Sequence, residues 1–192
     1  MGKNTVNFSC HSCGHCCTEV VCLPTPDDVR RIIAHTGQKP SKFLEFLTPE
    51  ELEGVEADDP TWLECKGEKF MMALRRREWR KRKAKLRRGR DLHCHFLSEK
   101  TGYCKIYEAR PLLCRLYPFK LLESKKGKYK GFGLHDDVEC PKHDDGVVDT
   151  KPLYKLYLAD EEAQTEYDDL VEAFNEDDSK KKKPEDFIRT FL

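Results

Sequence analysis

Residues 8–22 read Phe8-Ser-Cys10-His-Ser-Cys13-Gly-His-Cys16-Cys17-Thr-Glu-Val-Val-Cys22, and hold five of the ten cysteines in the chain. Two residues between successive thiols let neighbouring sulfurs converge on one centre, with Gly14 relieving the backbone between them. Three thiolates at this spacing, completed by a distant fourth, are typical of an iron–sulfur cluster. A zinc site could use the first pair with two ligands from elsewhere. Thiolates are soft donors and select iron–sulfur clusters, zinc or cuprous copper over magnesium or calcium. Cys16 and Cys17 are adjacent, and adjacent side chains are expected to diverge, by about 100° around a helix or to opposite faces of a strand. One of the two is then expected to serve a second centre or another role.

Four further cysteines, Cys94, Cys104, Cys114 and Cys140, stand far along the chain. With Cys10, Cys13, Cys16 and Cys17 they complete a candidate ligand set sufficient for two four-sulfur sites, or for one cluster with thiols in reserve. Lys105, Arg110 and Arg115 lie within a turn or two of Cys104 and Cys114. Cations there would stabilise a [4Fe–4S] core, which is anionic once ligated by thiolates, and would equally favour thiolate bound to zinc. Cys22 follows two valines and Cys65 is isolated, so both read as buried core thiols. His11, His15, His93 and His95 flank cysteines and read as hydrogen-bonding or exposed side chains rather than ligands.

The 192 residues suit one domain with an appendage, and 35 basic against 35 acidic side chains leave no net charge. No run of 18 apolar residues occurs, which argues against a membrane span. No apolar signal region follows Met1, so the expected compartment is the reducing cytoplasm, where thiols bind metals rather than pair. The run Arg75–Arg90 carries eleven Lys or Arg against Glu78 alone. Its only aromatic residue is Trp79 and no recognition motif accompanies it. Ten acidic residues in 160–178 match it. A solvated helix or a protein contact is therefore expected in preference to nucleic acid.

The remaining patterns predict an α+β fold: a small cysteine-rich domain organised by metal over 1–149, with a basic insertion at 75–90, followed by a C-terminal helical region over 150–192. Thr25-Pro-Asp-Asp28 predicts a capped helix running to Gly37. Ser41–Leu47 reads as a short helix, Thr48-Pro-Glu-Glu51 as another start, 53–68 as irregular and Phe70–Leu74 as a buried strand that periodicity does not separate from a helix start. Residues 92–119 read as strand pieces about a turn at Ser98–Gly102, and Phe119–Leu122 with Tyr129–Leu134 as two more strands. A long helix is expected from Pro152 to about Phe174. Residues 176–183 read as a linker, and Pro184–Leu192 as a short amphipathic segment.

The cysteine pattern as a whole resembles the YkgJ-type cysteine-cluster (CxxCxxCC) family, described as zinc- or iron-chelating. Cys10, Cys13, Cys16 and Cys17 match its signature. Cys94-His-Phe-Leu97, Gly102-Tyr-Cys104-Lys-Ile-Tyr107, Arg110-Pro-Leu-Leu-Cys114-Arg-Leu-Tyr-Pro118 and Cys140-Pro141 match its downstream part, so that the likeness covers roughly 8–141. The related flagellin lysine methylases use a similar region to hold an iron–sulfur cluster, which implies a methyltransferase-like enzyme as one alternative. The residues themselves favour an iron–sulfur protein of electron transfer or cofactor and protein maturation, working with a protein partner or a multi-subunit assembly. A zinc-stabilised interaction module, docking through the basic insertion and Phe187–Leu192, is the other reading. No nucleophile elbow, phosphate loop or HExxH motif is present, and enzymatic activity is left open.

Overall fold

In the computed structural model, which describes residues 4–18, 20–52, 54–78, 92–136, 144–177 and 182–192, the chain folds as α+β. The first helix, α1 (Pro26–Thr36), starts where its residue types require: Thr25 accepts from the Asp28 N–H and Asp28 accepts from the Thr25 N–H, a reciprocal capping box. Gly37 ends it in the left-handed conformation.

Two short elements depart from the sequence expectation. Helix α2 (Pro40–Phe43) stops after one turn, and Leu44–Leu47 continue as a strand, β2. The run Phe43-Leu-Glu-Phe-Leu47 satisfies either period, and pairing decides it: Leu44–Leu47 lie antiparallel against Leu74–Met71 of β4 (Glu68–Leu74). β3 (Leu63–Cys65), in a segment expected to be irregular, takes the other side of β4. The expected buried strand thus becomes the centre of a three-stranded sheet, with Met71, Met72, Ala73 and Leu74 all buried.

The basic run begins as strand rather than helix: β5 (Arg76–Glu78) pairs antiparallel with β6 (Leu92–Cys94). Residues 79–91 lie outside the described residues, as do Cys140 and, within the expected linker, 178–181. The expected hairpin around Ser98–Gly102 survives as a single bridge, Leu97 to Cys104. Leu112–Leu116 form a short helix, α3, in place of a strand, with Pro111 at its N-cap. The strands β7 (Phe119–Glu123) and β8 (Tyr129–Leu134) form the expected ladder. Near the N-terminus β1 (Thr5–Asn7) pairs with β9 (Val147–Asp149). Gly146 allows this approach, because a Cβ there would stand 2.8 Å from the Phe8 carbonyl oxygen.

Helix α4 (Thr150–Glu176) crosses the sheet and is fastened at its end by Asn175. The Asn175 amide accepts from the Glu64 N–H and donates to the Trp62 carbonyl, both at 2.8 Å, so it satisfies edge groups of β3. Tyr167, Val171 and Phe174 of α4 then share one apolar core with Val29 and Ile32 of α1, Leu63, Met72 and Phe96. The terminal segment, a 3₁₀ turn over Pro184–Thr190, inserts Phe187 and Phe191 into the same core. This corrects the docking role expected of Phe187–Leu192: their large rings are spent on the chain's own interior, and Leu192 is the one apolar side chain among them that remains mostly exposed. Among the described residues no helix is long and apolar enough to cross a membrane.

Candidate metal centre

Six of the ten cysteines, Cys10, Cys13, Cys16, Cys17, Cys104 and Cys114, line one cavity of about 470 Å³. The wall is built from the N-terminal segment, the stretch from Gly102 to Phe119, and Gly146–Val148. Cys10 and Cys13 are exposed on the irregular stretch before a 3₁₀ turn, His15–Cys17, which carries the next two thiols. Gly14 enters that turn at φ +76°, and a Cβ there would meet the Gly102 carbonyl at 3.2 Å. The glycine between Cys13 and Cys16 therefore lets the two cysteine segments touch. Opposite, Cys104 follows the Ser98–Gly102 turn and Cys114 sits in the middle of α3. α3 is positioned by Asp28, which accepts from the Leu112 N–H at 3.1 Å and pairs with Arg31. Arg31 also donates to the Arg110 carbonyl, at 3.2 Å. The cap of α1 is thus wired to the start of the helix that holds Cys114.

Cys16 and Cys17, adjacent on the 3₁₀ turn, both line the cavity, and the Cys17 thiol is near enough to stabilise a Cys16 thiolate. That neighbouring thiol, with a smaller contribution from the Arg110 charge and against the opposing effect of burial, brings the Cys16 thiol down to about 7. Cys17, which neighbours Cys16 and is itself desolvated, is pushed far up. Burial raises Cys94 to about 12, and Cys104 also shifts upward because of burial. Cys94 packs against the same core as Cys104 and Cys114, and the nearby Cys114, Cys104 and Cys16 add to its upward shift, so it belongs to the same group although it does not line the cavity. The sequence-expected ligand Cys140 lies outside the described residues. Among the described residues, no three His, Cys, Asp or Glu side chains stand in the coordination sphere of a single ion.

Of the flanking histidines, His11 meets Asp145 at 2.9 Å and His95 meets Gln38 at 3.2 Å. His15 is buried away from the cavity lining, and His93 lies in β6. The two arginines expected to neutralise a thiolate centre are both in the wall. Arg110 lies 3.7 Å over the Tyr107 ring and donates to the Tyr107 carbonyl, and Arg115 lines the same space. The donor set of gathered soft sulfurs beside two guanidinium groups fits a thiophilic metal and no hard cation. One residue sequence reading placed only in the core, Cys22, also reaches this group: its Sγ is 3.4 Å from the Cys114 Sγ.

The same framework contains a carboxyl pair. Burial first, and then the charge of Asp28, raise half-buried Asp160 to about 6. The native state therefore holds a proton that the unfolded chain gives up between about pH 4 and 6. Stability from this group is present at low pH and lost as pH rises through 6. Asp160→Asn is accordingly expected to raise stability at pH 7.5 by about 1 kcal/mol, solvent screening discounting the shift, with no gain at pH 4. Paired melting curves at the two pH values check it, and an equal effect at both would refute the carboxylate origin.

An α+β fold that gathers thiols from the N-terminal segment and from the middle of the sequence into one cavity is that of a cysteine-rich protein suited to a thiophilic metal. The chain belongs to the CxxCxxCC family, "putative zinc- or iron-chelating domain", whose model matches residues 9–141. An uncharacterized protein of Methanocaldococcus jannaschii is 36% identical to it over 74 residues, which cover 38% of this chain and 34% of that protein. The match thus spans about a third of that relative's length. No solved structure matches the chain.

Proposed function

We propose that four of Cys10, Cys13, Cys16, Cys17, Cys94, Cys104, Cys114 and Cys140 supply the ligands of a [4Fe–4S] cluster, the other four serving a second metal site or standing in reserve. The protein would then serve in electron transfer or in the maturation of a cofactor or protein, as an accessory to a larger assembly. The observation that carries this reading is the open cavity walled by six thiols and two arginines. When bound, a cluster supplies one-electron redox chemistry. The chain's own part is to ligate and to set the charge. Arg110 helps hold Cys16 as thiolate, and the Arg110–Tyr107 stack fixes where that positive charge stands. Tyr107 and Val147, 41% and 70% exposed, both belong to the lining and offer an apolar rim to a partner.

The contact between Cys22 and Cys114 favours a second reading, a zinc-stabilised interaction module, because two touching sulfurs suit one ion better than two corners of a cubane. Metal and acid-labile sulfide analysis of anaerobically purified protein separates the two. The cluster predicts about four irons and about four sulfides per chain, with visible absorption that bleaches on reduction. Zinc without sulfide would replace the first reading by the second.

A further inference from the structure

We infer that Cys22, which lies outside the CxxCxxCC spacing, is a metal ligand that shares one ion with Cys114; the inference rests on the thiolate-centre reading above. The two residues are 92 apart in sequence, yet their sulfurs stand 3.4 Å apart. In a tetrahedral site with metal–sulfur bonds of about 2.3 Å, two sulfurs on one ion are about 3.8 Å apart. The pair is therefore within a few tenths of an ångström of an edge of such a tetrahedron.

Both partners are held in place before any ion arrives. The Cys22 carbonyl accepts from the Leu74 N–H at 2.8 Å, which ties this stretch to the end of β4. Cys114 rides on α3, whose first turn is pinned through the Leu112 N–H by the Asp28 carboxylate. A purely apolar thiol would face carbon. Cys22 is buried, but its nearest polar neighbour is a sulfur that opens onto the cavity. Cys94 packs against the same core and interacts with both, and Cys104 lines the cavity beside Cys114. Cys94 and Cys104 are the nearest further donors and would have to close in on the Cys22–Cys114 pair to complete a four-sulfur site, since no three donors yet stand around one point among the described residues. The ion is a thiophilic divalent cation such as zinc or ferrous iron, and each sulfur it takes releases one proton to solvent.

The test uses the full chain, reduced and metal-free, titrated with Co²⁺ as the probe. The thiolate-to-cobalt charge-transfer band grows with the number of bound sulfurs. In Cys22→Ala the band is expected to fall by about a quarter for a four-sulfur site. Zinc affinity, read by competition with a chelator, is expected to fall by at least about tenfold. Cys65→Ala, which removes a buried thiol remote from the cavity, leaves both unchanged. Metal-free circular dichroism of Cys22→Ala should match that of the wild type at the titration temperature, whatever the loss of stability from the emptied core site, so that the lost band reports ligation and not unfolding. If the alanine variant does not fold, Cys22→Ser carries the same comparison. A full band in the Cys22 variant overturns the inference and leaves the metal centre standing. A wild-type chain with no thiolate–cobalt band overturns both.

Discussion

Phe187→Ala is expected to lower the free energy of unfolding by about 3–5 kcal/mol, the usual cost of emptying a buried aromatic site. Phe187 has no exposed surface, although it lies within six residues of the C-terminus. Its ring is 5.7 Å from Tyr167, 5.5 Å from Phe174 and 5.4 Å from Phe191, so it closes an aromatic group between α4 and the terminal turn. The surroundings resist collapse into the gap. Lys182 donates to the carbonyls of Phe174, Asn175 and Asp177 at the end of α4, and Arg30 of α1 donates to the Phe191 carbonyl at 3.0 Å. The cavity would stay open, and the upper part of the range applies. Leu192→Ala, at a side chain 63% exposed, is the control and should change stability by less than about 0.5 kcal/mol. Urea unfolding of the two variants measures both. A Phe187 effect no larger than that of Leu192 would mean that the terminal turn does not pack on the core in solution.

What residue pattern could and could not foretell follows from the range of the forces involved. The first helix announces itself because its cap is local: Thr25 and Asp28 bind each other's backbone. The ladder of β7 and β8 and the long helix α4 are likewise carried by near neighbours and by period. The helix expected at β2 gives way to strand because Leu44, Phe46 and Leu47 fit either period, and only pairing with β4 decides between them. Arg76–Glu78 were misread because charge reports solvation and not backbone conformation; the partner strand, Leu92–Cys94, lies beyond a long intervening stretch. Pro111 was a usable helix-start signal for α3 that the strand reading of 92–119 passed over. The same contrast runs through the metal centre. CxxCxxCC spacing singled out the thiols around Gly14, and the cavity gathers them with Cys104 and Cys114. Cys22 reads as a core residue from its two preceding valines, and it is buried. Its sulfur partner 92 residues away leaves no trace in local pattern.

Removing the metal is expected to lower the melting temperature by about 8–16 °C. A ligand held at about a thousand times its dissociation constant contributes about 4 kcal/mol to the native state. For a chain of this length each kcal/mol corresponds to about 2–4 °C. The loss should not be uniform. The elements that carry the cavity thiols are the three-residue turn His15–Cys17 and the five-residue α3, both too short to persist without tertiary support. The apolar core is different: Ile32, Leu63, Met72, Val171 and Phe187 have no exposed surface and draw on α1, the three-stranded sheet, α4 and the terminal turn. That core, which also includes Cys22, is expected to outlast metal loss, because its large side chains bury one another. Hydrogen exchange on reduced, chelator-treated protein should therefore show protection lost first in 8–22 and 94–118, with β4 and α4 still protected. Identical melting before and after verified metal loss would deny the centre any part in stability. Simultaneous loss of protection in β4 and α4 would show instead that the apolar core does depend on the ion.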